Sequence, residues 1–212
     1  GGEVFTYAKV KEIIVEGGKA RGLLMDDGTR IESKVVISCA GVMNTFEKLV
    51  PPAEVKKAGY DRYLKKVTKS CAHLGIYAGL KGTPEELGLP KTNFWIYPSN
   101  DYDHDLQRFF NDKNAPMPVV YISFPSAKDP DYARRHPGTS TIEIVAPAPY
   151  EWFEPWKNTV WGKRGEDYDA LKNAMGERLM EALYAKLPQL RGKVDYYEVS
   201  TPLSTEYFNA YD

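Results

Sequence analysis

Asp26-Asp27-Gly28 stands between two apolar-alternating runs, and no other stretch restricts the fold so tightly. Asp-Gly supplies the positive φ values of a tight hairpin turn, so the flanking runs are expected to pair as antiparallel neighbours. Lys19–Met25 places Ala20, Gly22 and Leu24 on one side and Leu23 and Met25 on the other. Before it, Val4–Val15 alternates loosely and ends at Glu16-Gly17-Gly18, a second turn signal. After it, Thr29–Ser38 returns as a third strand, in which Val35-Val36-Ile37 reads as a short buried run. Residues 4–38 are thus expected to form a meander of three antiparallel strands. That run ends in Ser38-Cys39-Ala40-Gly41, whose lack of bulk lets another group approach the backbone. A packed strand end entering a helix is the plainer reading.

Beyond Gly41 the periodicity changes. Asn44–Val50 reads as a short helix stopped by Pro51-Pro52, and Pro52 is placed to open another through Val55, Ala58, Tyr60 and Leu64. Ser70–Leu80 alternates as a strand, with His73, Gly75, Tyr77 and Gly79 on one face and Leu74, Ile76, Ala78 and Leu80 on the other. Asn93–Tyr97, Val119–Phe124, Ser140–Ala146 and Val194–Val199 are further strands, with Val119–Phe124 and Ser140–Ala146 expected as partners. Asp103–Asn111 reads as a short helix. Tyr168, Leu171, Met175, Leu179, Ala182, Leu183 and Leu187 recur at three- and four-residue steps, which predicts one long amphipathic helix over Glu166–Leu187. The fold class is α+β: a three-stranded antiparallel meander followed by a mixed sheet flanked by helices.

A formal net charge of -1 excludes the basic excess of a nucleic-acid binder. No run approaches the ~18 apolar residues of a membrane span. Cys39 and Cys71 have no metal-like spacing, and none of His73, His104 and His136 sits at ligand spacing from another His or Cys, so no metal site is expected. A reduced intracellular protein is the simple reading of two lone cysteines. There is no nucleophile elbow and no Gly-rich phosphate loop. The aromatic run Tyr150–Trp161 lines a groove for a long apolar ligand or caps the core, and the residues alone leave both open. Gly1-Gly2 and Tyr211-Asp212 lack the marks of natural ends, so an excised piece of a longer protein is expected.

Three later stretches narrow the reading: Phe124-Pro125-Ser126-Ala127-Lys128-Asp129-Pro130, His136-Pro137-Gly138-Thr139-Ser140-Thr141 and Pro149-Tyr150-Glu151-Trp152-Phe153. With Gly162-Lys163-Arg164-Gly165-Glu166-Asp167-Tyr168 and Ser200-Thr201-Pro202-Leu203-Ser204, they resemble the retinol saturase branch of the phytoene desaturase-like flavoproteins. The first 41 residues resemble the part of such flavoproteins where a meander returns to the flavin domain. The Gly-x-Gly-x-x-Gly unit that holds the FAD pyrophosphate is missing from this sequence.

The resemblance implies three parts: residues 1–42 as part of the FAD-binding domain, 43–200 as the substrate domain, and 201–212 as a return segment. It implies Val10, Ala40 and Gly41 on the cofactor side. FAD is the implied cofactor, with NAD(P)H as a possible electron donor. An apolar isoprenoid polyene is the implied substrate, and it gives Trp95, Tyr97, Phe124, Tyr150, Trp152 and Phe153 a role in lining an apolar slot. The chemistry would be hydride exchange with the flavin, saturating or desaturating a C=C bond. His73, Tyr77, Tyr97 or a water is a candidate proton donor, and the sequence does not choose between them. Peripheral membrane contact on the cytoplasmic side, cytoplasmic rather than secreted placement, and association through an exposed meander face are further expectations. The competing readings are a flavoprotein acting on another substrate, such as an amine, and a non-catalytic module binding an apolar ligand or a partner.

Overall fold

The computed structural model describes residues 2–68 and 70–209. The chain divides into two units at residues 69/70. Residues 43–68 lie in the same unit as the meander.

In the first unit, β1 (Val10–Glu16), β2 (Lys19–Met25) and β3 (Arg30–Glu32) form an antiparallel sheet in the order β1-β2-β3. The turn at Asp27 and Gly28 is closed by a Gly28 N–H to Met25 O bond of 3.0 Å and a Thr29 N–H to Asp27 Oδ1 bond of 2.9 Å. That backbone N–H also holds the Asp27 carboxyl below its ordinary value. Gly22 has φ +151, and a Cβ there would stand 2.0 Å from Ile31 O and 3.0 Å from Glu32 Cα. β3 can lie against β2 only because position 22 has no side chain. Ile13, Ile14 and Met25 are buried in this unit, as is Val55 of α1 (Pro52–Lys57). A π-helical turn over Asn44–Leu49 precedes α1, and Ala58-Gly59, with Gly59 at φ 76, separates it from α2 (Tyr60–Leu64).

The expected third strand is cut short. Ser33 N–H still bonds Arg21 O, but the Ser33 hydroxyl then donates to Val35 O at 2.6 Å and accepts from Val35 N at 3.2 Å. This local loop draws the chain off β2, the usual competition between short polar side chains and the ladder. Val35 and Ile37, expected in a buried strand, are 70% and 84% exposed.

The second unit is a five-stranded sheet in the order β5-β6-β7-β4-β8. Its elements run β4 (Ala72–Lys81), β5 (Phe94–Ile96), α3 (Tyr102–Asn111), β6 (Val120–Ser123), α4 (Pro125–Lys128), α5 (Tyr132–Arg135), β7 (Thr139–Ala148), α6 (Glu166–Lys186), β8 (Val194–Ser200) and α7 (Pro202–Asn209). The β6–β7 pairing expected from the sequence is present. The sheet is antiparallel throughout rather than mixed. α6 carries the chain from β7 to β8, and those strands run in the same direction, but β4 lies between them and opposes both. The segment expected as a return, 201–212, is helical over Pro202–Asn209, and Gly1, Lys69 and 210–212 lie outside the described residues.

Alternation divides the two faces. Leu74, Ile76 and Leu80 of β4, Ile142 and Ile144 of β7, and Ile122 of β6 are buried with Met175, Leu179 and Leu183 of α6. Gly176 brings α6 close to the sheet, since a Cβ there would lie 2.6 Å from Val199 Cγ2. Where β6 stops, the chain turns into α4 and the buried Ser126 hydroxyl replaces the missing strand. Ser126 Oγ donates to Thr141 O at 3.2 Å and accepts from Thr141 N at 3.0 Å. Ser126→Ala leaves both backbone groups of Thr141 unmatched in a buried setting, an expected loss of roughly 1–3 kcal/mol in urea unfolding. A change under about 0.3 kcal/mol would show that water takes over both bonds.

Candidate functional site: the open face of the five-stranded sheet

The sheet face opposite the core is read from the register. One row across it is Trp95–Tyr121–Val145–Gly75–Ser200. The next is Ser123–Glu143–Tyr77–Glu198, and beyond it lie Thr141, Gly79 and Tyr196. The Trp95 and Tyr121 rings meet at 4.7 Å. Tyr77 folds back across the first row: its Cε2 and hydroxyl each lie 3.5 Å from where a Gly75 Cβ would stand. Gly75 thus makes room for the Tyr77 ring on the face. Trp95, Tyr77 and Tyr196 are 62%, 50% and 59% exposed, so the face presents a stripe of aromatic surface flanked by Glu143 and Glu198.

The face continues around β5 into a depression of about 680 Å³ that includes Asn93, Trp95, Tyr97, Tyr102 and Lys186 in its lining. The Tyr97 and Tyr102 rings pack at 4.7 Å. A second groove, of about 540 Å³, runs between β5 and α6 and shares Ile96, Tyr97 and Pro98 with the first. Both volumes fall in the range of small-molecule sites.

The six aromatic residues expected to line a slot do not form one surface. Trp95 and Tyr97 share the depression. Phe124 and Phe153 are wholly buried, Phe124 against Phe94 at 5.4 Å and Phe153 near Tyr168 at 6.3 Å. Trp152 is half-buried, edge-on to Phe109 at 5.0 Å. Tyr121, Val145 and Tyr196 belong to the open face and were not singled out in the sequence; the alternation of 119–124 holds the signal for Tyr121 once β6 is paired with β7. In the first unit, Val10 opens β1 opposite Met25, while Ala40 and Gly41 form a half-buried turn with Gly41 at φ 84. Asn44 Nδ2 donates to Ala40 O at 3.0 Å there.

The proton-donor candidates are spread out. Tyr77 lies mid-face and Tyr97 in the depression. His73 is half-buried toward the start of β4, its Nε2 3.5 Å from Thr205 Oγ1 of α7. Tyr150 donates its phenolic proton to Glu206 Oε2 at 2.6 Å. Burial first, then the bond to Glu206 and that carboxylate's charge, push the Tyr150 phenol up to about 12. The folded state therefore holds this proton more tightly than the unfolded chain. Its contribution to stability is fully present below the ordinary tyrosine value of 10.0 and is lost as pH rises through about 12. NMR titration of labelled tyrosine rings is expected to place Tyr150 near 12, with Glu206→Gln lowering that value while burial still keeps it raised. A Tyr150 titrating at its ordinary value would mean the pair is open in solution.

No protein-family model matches the chain. All-trans-retinol 13,14-reductase of Macaca fascicularis is 36% identical over 218 residues, which cover 99% of this chain and 36% of that protein. The Homo sapiens protein of the same name is 35% identical, again over 99% of this chain and 36% of its own length. Chloroplastic prolycopene isomerase of Daucus carota is 28% identical over 100% of this chain and 31% of that protein. The chain spans about a third of the length of these curated relatives. Matched almost from end to end, this chain is a homologue of the all-trans-retinol 13,14-reductases, with prolycopene isomerase and phytoene desaturase as more distant relatives.

Proposed function

We propose that this chain is the polyene-holding part of an FAD-dependent oxidoreductase that acts on C=C bonds of a retinoid- or carotenoid-like substrate. The end-to-end likeness to proteins named for retinol reduction carries the reading. The open sheet face supports it, because a long apolar chain needs an extended apolar surface and Trp95, Tyr121, Val145 and Tyr77 offer one. Bound flavin would supply hydride exchange with a polyene carbon. This chain's own residues would hold the polyene flat, exclude water from one side and place hydroxyls such as that of Tyr77 beside it. NAD(P)H is proposed as the electron donor.

The residues present fit only the margin of a flavin site. Ala40 and Gly41 offer backbone with no side-chain bulk, but no phosphate loop accompanies them. Most of each relative's length lies outside the match, and the FAD-holding part is proposed to reside in a corresponding longer protein. The exposed Val35 and Ile37 are proposed to pack against that part, or against a second copy in its absence. Peripheral contact with a cytoplasmic membrane surface is proposed on the grounds that such substrates partition into lipid.

Titration of the 212-residue chain with all-trans-retinol tests the binding half of the proposal, read by quenching of tryptophan fluorescence. Saturable quenching that Trp95→Phe largely removes is the expected result. Equal quenching by an aliphatic amine, or none by any retinoid, would count against it.

A further inference from the structure

Lys128 closes α4, and its ammonium reaches back to the open face. Nζ donates to Ser123 Oγ at 3.0 Å and also to Asn93 Oδ1. Both acceptors are neutral, and among the described residues no carboxylate pairs with this charge. The acids that follow it are engaged elsewhere: Asp129 pairs with Arg135, and Asp131 with Arg134 and Arg135. An ammonium has three donors, so one N–H of Lys128 remains for a further acceptor.

The position of this charge gives it meaning. Ser123 is two residues from Tyr121 on β6, on the same face and roughly 7 Å along the strand. The Tyr121 ring meets Trp95 at 4.7 Å. Asn93, the second acceptor, lines the same depression as Trp95 and Tyr97. Lys128 therefore stands at the polar end of an aromatic slope. Glu143, the register partner of Ser123, lies across β6 on the β7 side, so an anion arriving from the β5 side avoids it.

We propose that this site takes an elongated apolar ligand ending in a carboxylate, with its chain over Trp95 and Tyr121 and the carboxylate on Lys128. The proposal rests on the polyene reading of the open face and adds a preference for an acid terminus. A carboxylate adds the attraction of opposite charges to the hydrogen bond that the ammonium would make to a neutral hydroxyl as well. The acid is accordingly expected to bind roughly tenfold more tightly than the matching alcohol at low salt, with the advantage shrinking as salt rises.

The test compares all-trans-retinoic acid with all-trans-retinol on the 212-residue chain, by tryptophan quenching at low and high salt. The wild type is expected to favour the acid, and Lys128→Met to bring the two Kd values together while leaving retinol binding in place. Asn93→Asp is the second variant: it keeps the lysine and places a carboxylate against it, so it is expected to abolish the acid preference too. A wild type with no preference, or variants that retain it, would overturn the assignment of Lys128 while leaving the polyene reading standing. Failure of both retinoids on the wild type would overturn the polyene reading, and this proposal with it.

Discussion

Gly22→Ala is expected to strip β3 from the meander and to destabilise the first unit by at least about 3 kcal/mol. A side chain at φ +151 carries roughly 1–3 kcal/mol of backbone strain. Its Cβ would also sit 2.0 Å from Ile31 O and 3.0 Å from Glu32 Cα, both main-chain atoms that no rotamer change can move aside. β3 can only separate from β2, with the loss of ladder bonds worth about 1 kcal/mol each. Hydrogen exchange should show protection lost in β2 and β3, and urea unfolding should show a lower midpoint for the first unit. A variant within about 0.5 kcal/mol of the parent would mean that the strands are not held at this spacing.

The second large effect separates core from surface. Phe153→Ala removes a ring that is wholly buried, and it is expected to cost about 3–5 kcal/mol. Trp95→Ala removes a ring that is 62% exposed, and its stability cost should stay near 1 kcal/mol, mostly from the lost contact with Tyr121. Retinoid binding should show the opposite ranking. Trp95→Ala is expected to weaken it strongly, whereas the milder core change Phe153→Leu should leave it nearly unaltered. If Phe153→Leu abolished binding in a protein that still unfolds cooperatively, the ligand surface would have to be sought on the core side of the sheet.

What the sequence made legible followed from local rules. The alternation in Ser70–Leu80 assigned Leu74, Ile76, Ala78 and Leu80 to one face correctly, because one buried face imposes a period of two. The three- and four-residue repeat from Tyr168 gave α6 to within a residue. What stayed hidden depends on pairing or on single hydroxyls. No local signal places β4 between β7 and β8, so the antiparallel character of the whole sheet was not visible. Ser33 reads as an ordinary polar residue in a strand, yet its bonds to Val35 end β3 and leave Val35 and Ile37 exposed. The aromatic residues were legible as a class but not by location, since Trp152 and Phe153 are neighbours in sequence and differ in burial. The candidate face emerged only once the register joined Trp95 to Tyr121 and Val145.

The position of β4 also bears on how the chain reaches its native state. The first strand of the second unit to leave the ribosome is flanked in the finished sheet by the sixth-to-eighth decade of residues after it on one side, and by the last strand of the unit on the other. One of its edges stays bare until β7 is made and the other until β8, and such edges invite pairing with foreign strands. Closure of so distant a pairing is slow. A nascent chain halted before Val194 would hold an apolar strand with one border still unguarded, which makes this stretch the natural client of a chaperone until β8 is complete.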